Sequence, residues 1–415
     1  MTRTSASAYR ITALALALVV ALSVPMPADG SVMQTDIIGA VSVADSAELL
    51  SAAPDLGIPA GLLSTSGGEV LWARSADVER AMASTTKIMT AVVVLETVEN
   101  LDEVIIVPAA AARVGESGVG IKAGEQQSIR DLLAAMLVRS ANEAAMALAL
   151  RVGGSVEGFA AMMNEKAAAL SLEYTCYANP HGLDEPDHHT SASDLATLAS
   201  YAMRNPIFRE MVAAEKIRIP GPSGQRIIET SNKLLSTYSG ANGVKTGWTD
   251  DAGYCVVASA ERDGIELVAV VLGAGSETER FNEVETLLDW GFSHYRLQAV
   301  SSAETTAALV PVSDYLDRTV AVSVESSMVV PVFDLEGEIT SSVDVVSEVE
   351  APVAAGDRLG TLNIRQGQRL LAQIPLVASE DIAVPDAWER IGIWVTRTWR
   401  GIFGGQCQAA PVSIM

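Results

Sequence analysis

Positive charge is scarce in this chain: 28 lysines and arginines stand against 51 aspartates and glutamates, a formal net charge of −23. No basic surface is available to neutralise phosphates, so nucleic acid is excluded as a partner. Cysteine is scarcer still. Three cysteines are few for a chain of 415 residues, and an odd count leaves at least one thiol unpaired within the chain. Cys176 and Cys255 are the pair available for a disulfide, but Cys255 sits in an apolar stretch that favours a small buried hydrophobe, and Cys407 lies in the tail. There is no Cys-x-x-Cys and no His/Cys cluster, so no metal and no cofactor are expected. No internal repeat is visible.

Hydrophobic residues make up 49% of the chain and charged residues 19%, which fits a globular protein with a sizeable core. The length of 415 residues predicts two folded units. The N-terminus has the layout of a secretory signal over residues 1–28: Arg3 and Arg10, an apolar run over 11–24, then Pro25 to Ala28. That run is short for a membrane span, which needs about 20 apolar residues. A retained N-terminal anchor is the alternative, and either reading places the protein outside the cytoplasm.

Apolar runs at 59–64 and 69–74 flank Ser66-Gly67-Gly68 and predict a hairpin. Helical spacing follows at 84–100 through Ile88, Val92 and Leu95, at 128–137 through Ile129, Leu132, Leu133 and Met136, after Ser140 to Leu150, and at 156–170. Strand patterns return at 253–260 and 265–272 around Asp263-Gly264, a strong turn signal, and an amphipathic helix closes the unit at 280–290. From about Val300, short β-branched runs at 307–312, 319–324, 328–333, 343–349 and 369–377 predict a separate small all-β module. Over 385–403, Trp388, Ile391, Val395, Trp399 and Ile402 share one helical face, with Glu389, Arg390, Arg397 and Arg400 opposite and Ile393 breaking the polar side. Such a helix suits a membrane interface, and docking on the preceding β module is the alternative.

Three short motifs carry chemistry. Ser84-Thr85-Thr86-Lys87 opens an amphipathic helix, where a spacing of three brings the Lys87 amine to the Ser84 hydroxyl. A lysine whose pKa is lowered by burial or positive neighbours can take that proton, and a helix N-terminus offers free N–H groups to an oxyanion. Ser140-Ala141-Asn142, between two helices, supplies a hydroxyl to relay a proton and an amide to hold a peptide group. Lys245-Thr246-Gly247, followed by Trp248, supplies a cation and a hydroxyl for a carboxylate on a strand edge, with Gly247 admitting a ligand backbone. Taken singly, these read as a cap, a helix junction and an exposed strand.

As an ordered set, Ser-x-x-Lys, Ser-x-Asn and Lys-Thr-Gly match the signature of penicillin-binding proteins and class A β-lactamases. Residues 82–90 (MASTTKIMT), 136–143 (MLVRSANE), 179–184 (NPHGLD) and 243–255 (GVKTGWTDDAGYC) resemble the D-alanyl-D-alanine carboxypeptidases, the low-molecular-weight penicillin-binding proteins of serine peptidase family S11. The motifs span roughly residues 60–295, and the layout extends the resemblance to a C-terminal β domain and amphipathic anchor. The resemblance implies an α+β fold: a serine β-lactamase/transpeptidase-like domain, an antiparallel sheet with a helical cluster, over 38–298. A small all-β domain over 299–380 and an anchor helix over 384–403 would follow.

It also implies an acyl-transfer cycle on peptidoglycan stem peptides ending in D-Ala-D-Ala. Ser84 is the expected nucleophile and Lys87 its base. Ser140 passes a proton to the leaving D-alanine, Asn142 holds the substrate amide, and Lys245 and Thr246 bind the terminal carboxylate. The N–H groups of Ser84 and Trp248 form the oxyanion hole. β-Lactam antibiotics would acylate Ser84. The residue after Lys-Thr-Gly is commonly His in the family; Trp248 here leaves substrate preference and pH profile open. A β-lactamase, a transpeptidase and a non-catalytic surface receptor are the competing readings, although no local motif supplies the water-activating glutamate of a lactamase. His181, His188 and His189, with Asp184 and Asp187, are read as a metal-free loop in which Pro180 and Gly182 fix a turn, and Asp194 as a helix starter.

Overall fold

The structure, a computed structural model, describes residues 33–34, 53–303, 305–367, 369–403 and 412–413. The expected signal over 1–28 and Cys407 lie outside them.

The first hairpin forms as expected, with β1 (Ala60–Thr65) and β2 (Val70–Arg74) joined through Gly68 at φ +91. The helix expected from residue 84 begins instead as a 3₁₀ turn, Ala83–Thr86, and becomes α1 only at Lys87–Thr97. α2 (Ile129–Arg139), α3 (Asn142–Gly153) and α4 (Val156–Ala169) follow. The chain then adds α5 (Ala192–Ala202), α6 (Pro206–Val212) and a hairpin, Lys216–Gly221 with Gly224–Glu229. β3 (Ala241–Thr249), β4 (Gly253–Arg262) and β5 (Ile265–Ala274) precede the closing helix α7 (Glu277–His294). Asp263 and Gly264, at φ +51 and +77, make the two-residue turn that matches strand twist. Helix α5 is capped by the Ser191 hydroxyl, which accepts from the Asp194 N–H; the Asp194 carboxylate instead accepts from the Tyr174 N–H and the Thr175 hydroxyl.

The five strands form one antiparallel sheet in the order β2-β1-β5-β4-β3. The three central strands β1, β5 and β4 are largely apolar because both of their faces are covered. Leu62, Val257, Val268 and Val270 point into the helical cluster, packing with residues such as Leu132, Leu133, Leu148 and Leu195. The alternate positions Leu63, Val256, Leu267 and Val271 face Val284, Leu287 and Leu288 of α7. The helix–sheet sandwich leaves one sheet edge, β3, beside the 3₁₀ turn of Ser84.

The C-terminal unit is built from β6 (Tyr295–Ser301), β7 (Thr306–Pro311), β8 (Thr319–Val324), β9 (Met328–Phe333), β10 (Ile339–Val345), β11 (Arg358–Gln366) and β12 (Arg369–Ala378). The order is β10-β11-β12-β8-β7, with the two-residue strands Met33–Gln34 and Val412–Ser413 on its edges, while β6 pairs with β9. Val310, Val322, Leu362, Ile374 and Leu376 form its separate core. Strand β11 escapes a search for apolar runs because Arg358, Asn363 and Arg365 interrupt it; its buried residues are Leu359, Leu362, Ile364 and Gln366.

The tail helix α8 spans Ala387–Phe403, with Asp386 accepting from the N–H groups of Trp388 and Glu389. Trp388 is 80% and Trp394 68% exposed, and Ile391, Val395 and Ile402 are also exposed. Ile393, Thr396 and Arg400 are half-buried. Arg400 pairs with Asp317 at 2.7 Å and Arg397 donates to the Ser313 carbonyl at 3.0 Å. The residue that breaks the polar side in sequence, Ile393, therefore lies on the half-buried side of the helix. Among the described residues no single helix is long and apolar enough to cross a membrane.

Candidate active site

The site is assembled around the 3₁₀ turn Ala83–Thr86. Ala83 adopts φ +48, uncommon for a residue with a Cβ, immediately before Ser84. The segment 178–190 braces this turn. Gly182, at φ +89, lies so close that a Cβ there would collide with the Ala83 carbonyl oxygen. Thr86 Oγ1 donates to that same oxygen at 2.8 Å and contacts His188 Nε2 at 2.8 Å. His188 Nδ1 accepts from the Ala178 N–H at 3.0 Å, so the ring proton sits on Nε2 and is donated to Thr86. His181 Nδ1 accepts from the Leu183 N–H at 3.3 Å. Burial pushes His181 down to about 3 and His188 down to about 4, so both rings are neutral. His189 exchanges backbone hydrogen bonds with Cys176. Among the described residues no three His, Cys, Asp or Glu side chains converge on a metal position.

Lys87 lies beneath this turn with no solvent exposure. Its Nζ reaches Ser84 Oγ at 2.8 Å, Asn142 Oδ1 at 2.7 Å and the His181 carbonyl. Burial first, and then the positive charge of Lys245, pull the amine well below an ordinary lysine, against an opposing pull from Glu143 and Glu116. A neutral amine keeps a lone pair for the serine proton. The spacing of three that suggests one helical face is thus realised by a 3₁₀ turn feeding α1.

Asn142 is the first residue of α3. Its Nδ2 donates to the Gly115 carbonyl at 3.0 Å, and its N–H to the Ser117 carbonyl at 2.9 Å. The neighbouring Glu143 is buried and accepts the N–H groups of Val119, Gly120 and Ile121 at 2.8, 3.0 and 3.3 Å. Together they clamp the 115–121 loop to the site. Ser140 takes φ +66, and its buried Oγ has no hydrogen-bond partner among the described residues.

The third motif lies on β3. Lys245 is buried and donates to the Thr246 carbonyl at 2.6 Å. Burial, then the charge of Arg280, bring its amine down to about 7. Thr246 Oγ1 contacts Ser231 Oγ at 3.2 Å. Gly247 also has a packing role within the protein. A Cβ there would meet the Ser84 nitrogen at 2.8 Å and Ala83 Cβ at 3.0 Å, so the backbone that needs the space is the protein's own nucleophile turn. Trp248 is 49% exposed, its ring 5.9 Å from that of Tyr254.

Lys87 therefore touches both Ser84 and Asn142, with Gly247 against the turn and Lys245 within electrostatic reach. Three residues of this site were not singled out from sequence. Arg280 looks like the start of an amphipathic helix, yet it is buried and donates to the Gly247 and Cys255 carbonyls at 3.1 and 3.3 Å. Glu143 reads as an acidic residue in a first helical turn, and Ser231 as a loop serine. Only the third dimension gives these roles. Cys255 is buried, its thiol pushed up to about 11, and neither it nor Cys176 forms a disulfide.

Comparison with known proteins defines the class first: this is a serine peptidase with the penicillin-binding-protein fold. The D-alanyl-D-alanine carboxypeptidase family of peptidase S11 matches residues 60–276, and the C-terminal domain of penicillin-binding protein 5 matches residues 295–384. The chain is similar to D-alanyl-D-alanine carboxypeptidase DacF of Bacillus subtilis, at 29% identity over 77% of this chain and 84% of that protein. It is similar to DacC of Escherichia coli at 30% identity, over 83% and 88% of the two chains. The crystal structure of DacD from Francisella tularensis superposes with a TM-score of 0.61 at 26% identity, covering 85% of this chain and 98% of that one. The chain belongs to the S11 family of D-alanyl-D-alanine carboxypeptidases.

The packing of Gly247 generates a prediction. Gly247→Ala places a methyl 2.8 Å from the Ser84 nitrogen, so β3 must move away from the nucleophile turn. Acylation by a penicillin should slow by at least about tenfold while the melting temperature falls only a few degrees. Stopped-flow labelling beside a thermal melt checks it; a wild-type acylation rate would show that the contact is dispensable.

Proposed function

We propose that this enzyme removes the terminal D-alanine from peptidoglycan stem peptides through an acyl-enzyme on Ser84. The observation that carries the reading is the fully buried Lys87 amine 2.8 Å from Ser84 Oγ, held well below its ordinary pKa. In the proposed cycle Ser84 Oγ attacks the carbonyl between the two D-alanines as its proton passes to Lys87. The carbonyl oxygen, now negative, sits between the N–H groups of Ser84 and Trp248, donors of a kind typically worth ~3 kcal/mol each. The C–N bond then breaks. Ser140, whose hydroxyl has no hydrogen-bond partner among the described residues, gives its proton to the departing amine and is reprotonated by Lys87, and D-alanine leaves. Water then attacks the ester, giving its hydroxyl to the acyl group and its proton through Lys87 to Ser84 Oγ as the ester bond breaks.

Asn142 holds the substrate amide in this scheme, and Lys245 with Thr246 receives the terminal carboxylate. A β-lactam enters the same cycle, but its opened ring stays attached and deacylates slowly. Glu143 Oε1 accepts from three backbone N–H groups, so this carboxylate serves to clamp the 119–121 backbone. Trp248 preserves a backbone donor while placing an aromatic ring where a polar one would otherwise modulate the leaving group.

The substrate lies in the cell wall, so the site works outside the cytoplasm, with residues 1–28 as the export signal. The catalytic unit is assigned to 38–298, the β domain to 299–380 and the anchor to 384–403. The outward Trp388, Ile391, Trp394, Val395 and Ile402 support a helix lying in the membrane interface, with Arg397 and Arg400 bracing it on the β domain.

Two outcomes follow. Wild-type protein given a stem peptide ending in D-Ala-D-Ala should release D-alanine, and Ser84→Ala should lose that release by several orders of magnitude; turnover surviving in the variant would place the nucleophile elsewhere. A chain cut after Ile382 should stay active but leave the membrane fraction, and its continued sedimentation with membranes would refute the anchor.

A further inference from the structure

The oxyanion hole proposed above takes one of its N–H groups from the end of an edge strand, where pairing runs out. Trp248 is the penultimate residue of β3, and the chain turns back into β4 through residues 250–252. Donors aimed at a developing charge act only when held within about 0.5 Å of their target. Two restraints on this strand end come from the sheet and from α7. Pairing with β4 reaches Thr249 opposite Gly253, and Arg280 fixes the Gly247 carbonyl at 3.1 Å. A third comes from the 178–190 segment.

That restraint is Asp184. Its Oδ1 accepts from Thr249 Oγ1 at 2.7 Å and its Oδ2 from the Asp251 N–H at 3.3 Å. Thr249 is buried, and its Oγ1 in turn accepts from the Ala252 N–H at 3.1 Å, so one carboxylate gathers both sides of the turn. The stretch that carries Asp184 is equally fixed. Asn179 Oδ1 accepts from the His181 and Gly182 N–H groups at 3.2 and 2.7 Å, and Asn179 Nδ2 donates to the Leu183 carbonyl at 2.9 Å. Thr90 of α1 donates to the Pro180 carbonyl at 2.7 Å. The same stretch places the His181 carbonyl on Lys87 and Gly182 against Ala83. Residues 181–184 therefore touch the base, the nucleophile turn and the strand end.

We infer that Asp184 is a positioning residue for the acyl-transfer reaction: it ties the end of β3 to the nucleophile turn and so holds the Trp248 N–H in register with Ser84. The inference rests on the catalytic reading above, in which the N–H groups of Ser84 and Trp248 receive the oxyanion. Asp184 acts through Thr249, the residue after the donor, rather than on the substrate. A carboxylate suits the task because both of its oxygens accept, one from a hydroxyl and one from a backbone N–H. Asparagine keeps a single acceptor oxygen and turns an amide N–H on the other donor.

The experiment uses full-length protein, an N-acylated tripeptide ending in D-Ala-D-Ala, and a peptidyl boronic acid whose tetrahedral adduct on Ser84 puts an oxygen in the same hole. Wild type, Asp184→Ala, Asp184→Asn, Thr249→Val and Thr249→Ser are compared for kcat, KM and boronate affinity, with Ser84→Ala as a control. Misplacement by about 1 Å costs up to about a hundredfold, so Asp184→Ala should lower kcat roughly 10- to 100-fold. KM should change less than about threefold, and boronate affinity should fall in step with kcat. Asp184→Asn should lie between, and Thr249→Val should match Asp184→Ala. Thr249→Ser, which keeps the hydroxyl, should act as wild type. Combining Asp184→Ala with Thr249→Val should cost no more than either alone, because both break one link. Wild-type kcat and boronate affinity in Asp184→Ala overturn the assignment, and so does a combined loss equal to the product of the two single ones. Should Asp184→Ala not fold, wild-type boronate affinity in Thr249→Val overturns it alone. Release by Ser84→Ala would instead break the catalytic reading underneath, whereas its loss beside a wild-type-like Asp184→Ala breaks only the role given to Asp184.

Discussion

The burial of one amine organises this molecule. A lysine taken wholly out of water keeps its charge only at considerable cost, and the site meets that cost by favouring the neutral form. Lys87 sits at the centre of the catalytic unit, in reach of Ser84 Oγ, Asn142 Oδ1 and the His181 carbonyl. Each partner comes from a different part of the chain, so the fold must bring the 3₁₀ turn, the start of α3 and the 178–190 segment to one point.

The rest of the architecture can be read as what holds those three parts still. The helical cluster positions α3 and, through Glu143 and Asn142, the 115–121 loop. Neutral His188 and Thr86 tie the bracing segment to the nucleophile turn, which keeps Ala83 in a backbone region a Cβ disfavours. The sheet, covered by α7 on its far face, offers β3 as an edge whose Gly247 fits flush against Ser84. Arg280 reaches through from α7 to the carbonyls of β3 and β4 and adds the positive charge that helps lower Lys245.

Much of this was legible in the sequence, and the illegible part has a consistent cause. Ser-x-x-Lys, Ser-x-Asn and Lys-Thr-Gly were readable because each is local, and their order pointed to one chemistry. The two antiparallel hairpins were readable because Ser66-Gly67-Gly68 and Asp263-Gly264 punctuate apolar runs. Strand β11 was not, since arginine and asparagine at its exposed positions hide the buried alternation. The 3₁₀ start at Ala83–Thr86 was misread as α-helix because the apolar spacing of α1 runs on behind it. Arg280, Glu143 and Ser231 were missed as site residues for another reason: each acts through partners far off in the chain, on which local pattern is silent. Gly247 was seen as special for an approaching ligand, and only the fold shows that it also makes room for the backbone of Ser84. Ile393, an anomaly on the helical wheel, makes sense once α8 lies against the β domain.

The account stands most directly on the ionisation of Lys87. Heteronuclear NMR of the lysine Nζ resonances in the full-length protein, followed against pH, reads it without reference to any substrate. Burial and the Lys245 charge both disfavour the ammonium, so the Lys87 midpoint should fall well below 10.5, and kcat/KM should rise with pH as that proton is lost. Lys245→Met removes one of the two depressing causes and should shift the midpoint upward. A Lys87 that titrates at 10.5 or above would contradict the account, because the serine would then have no neutral amine to receive its proton near neutral pH.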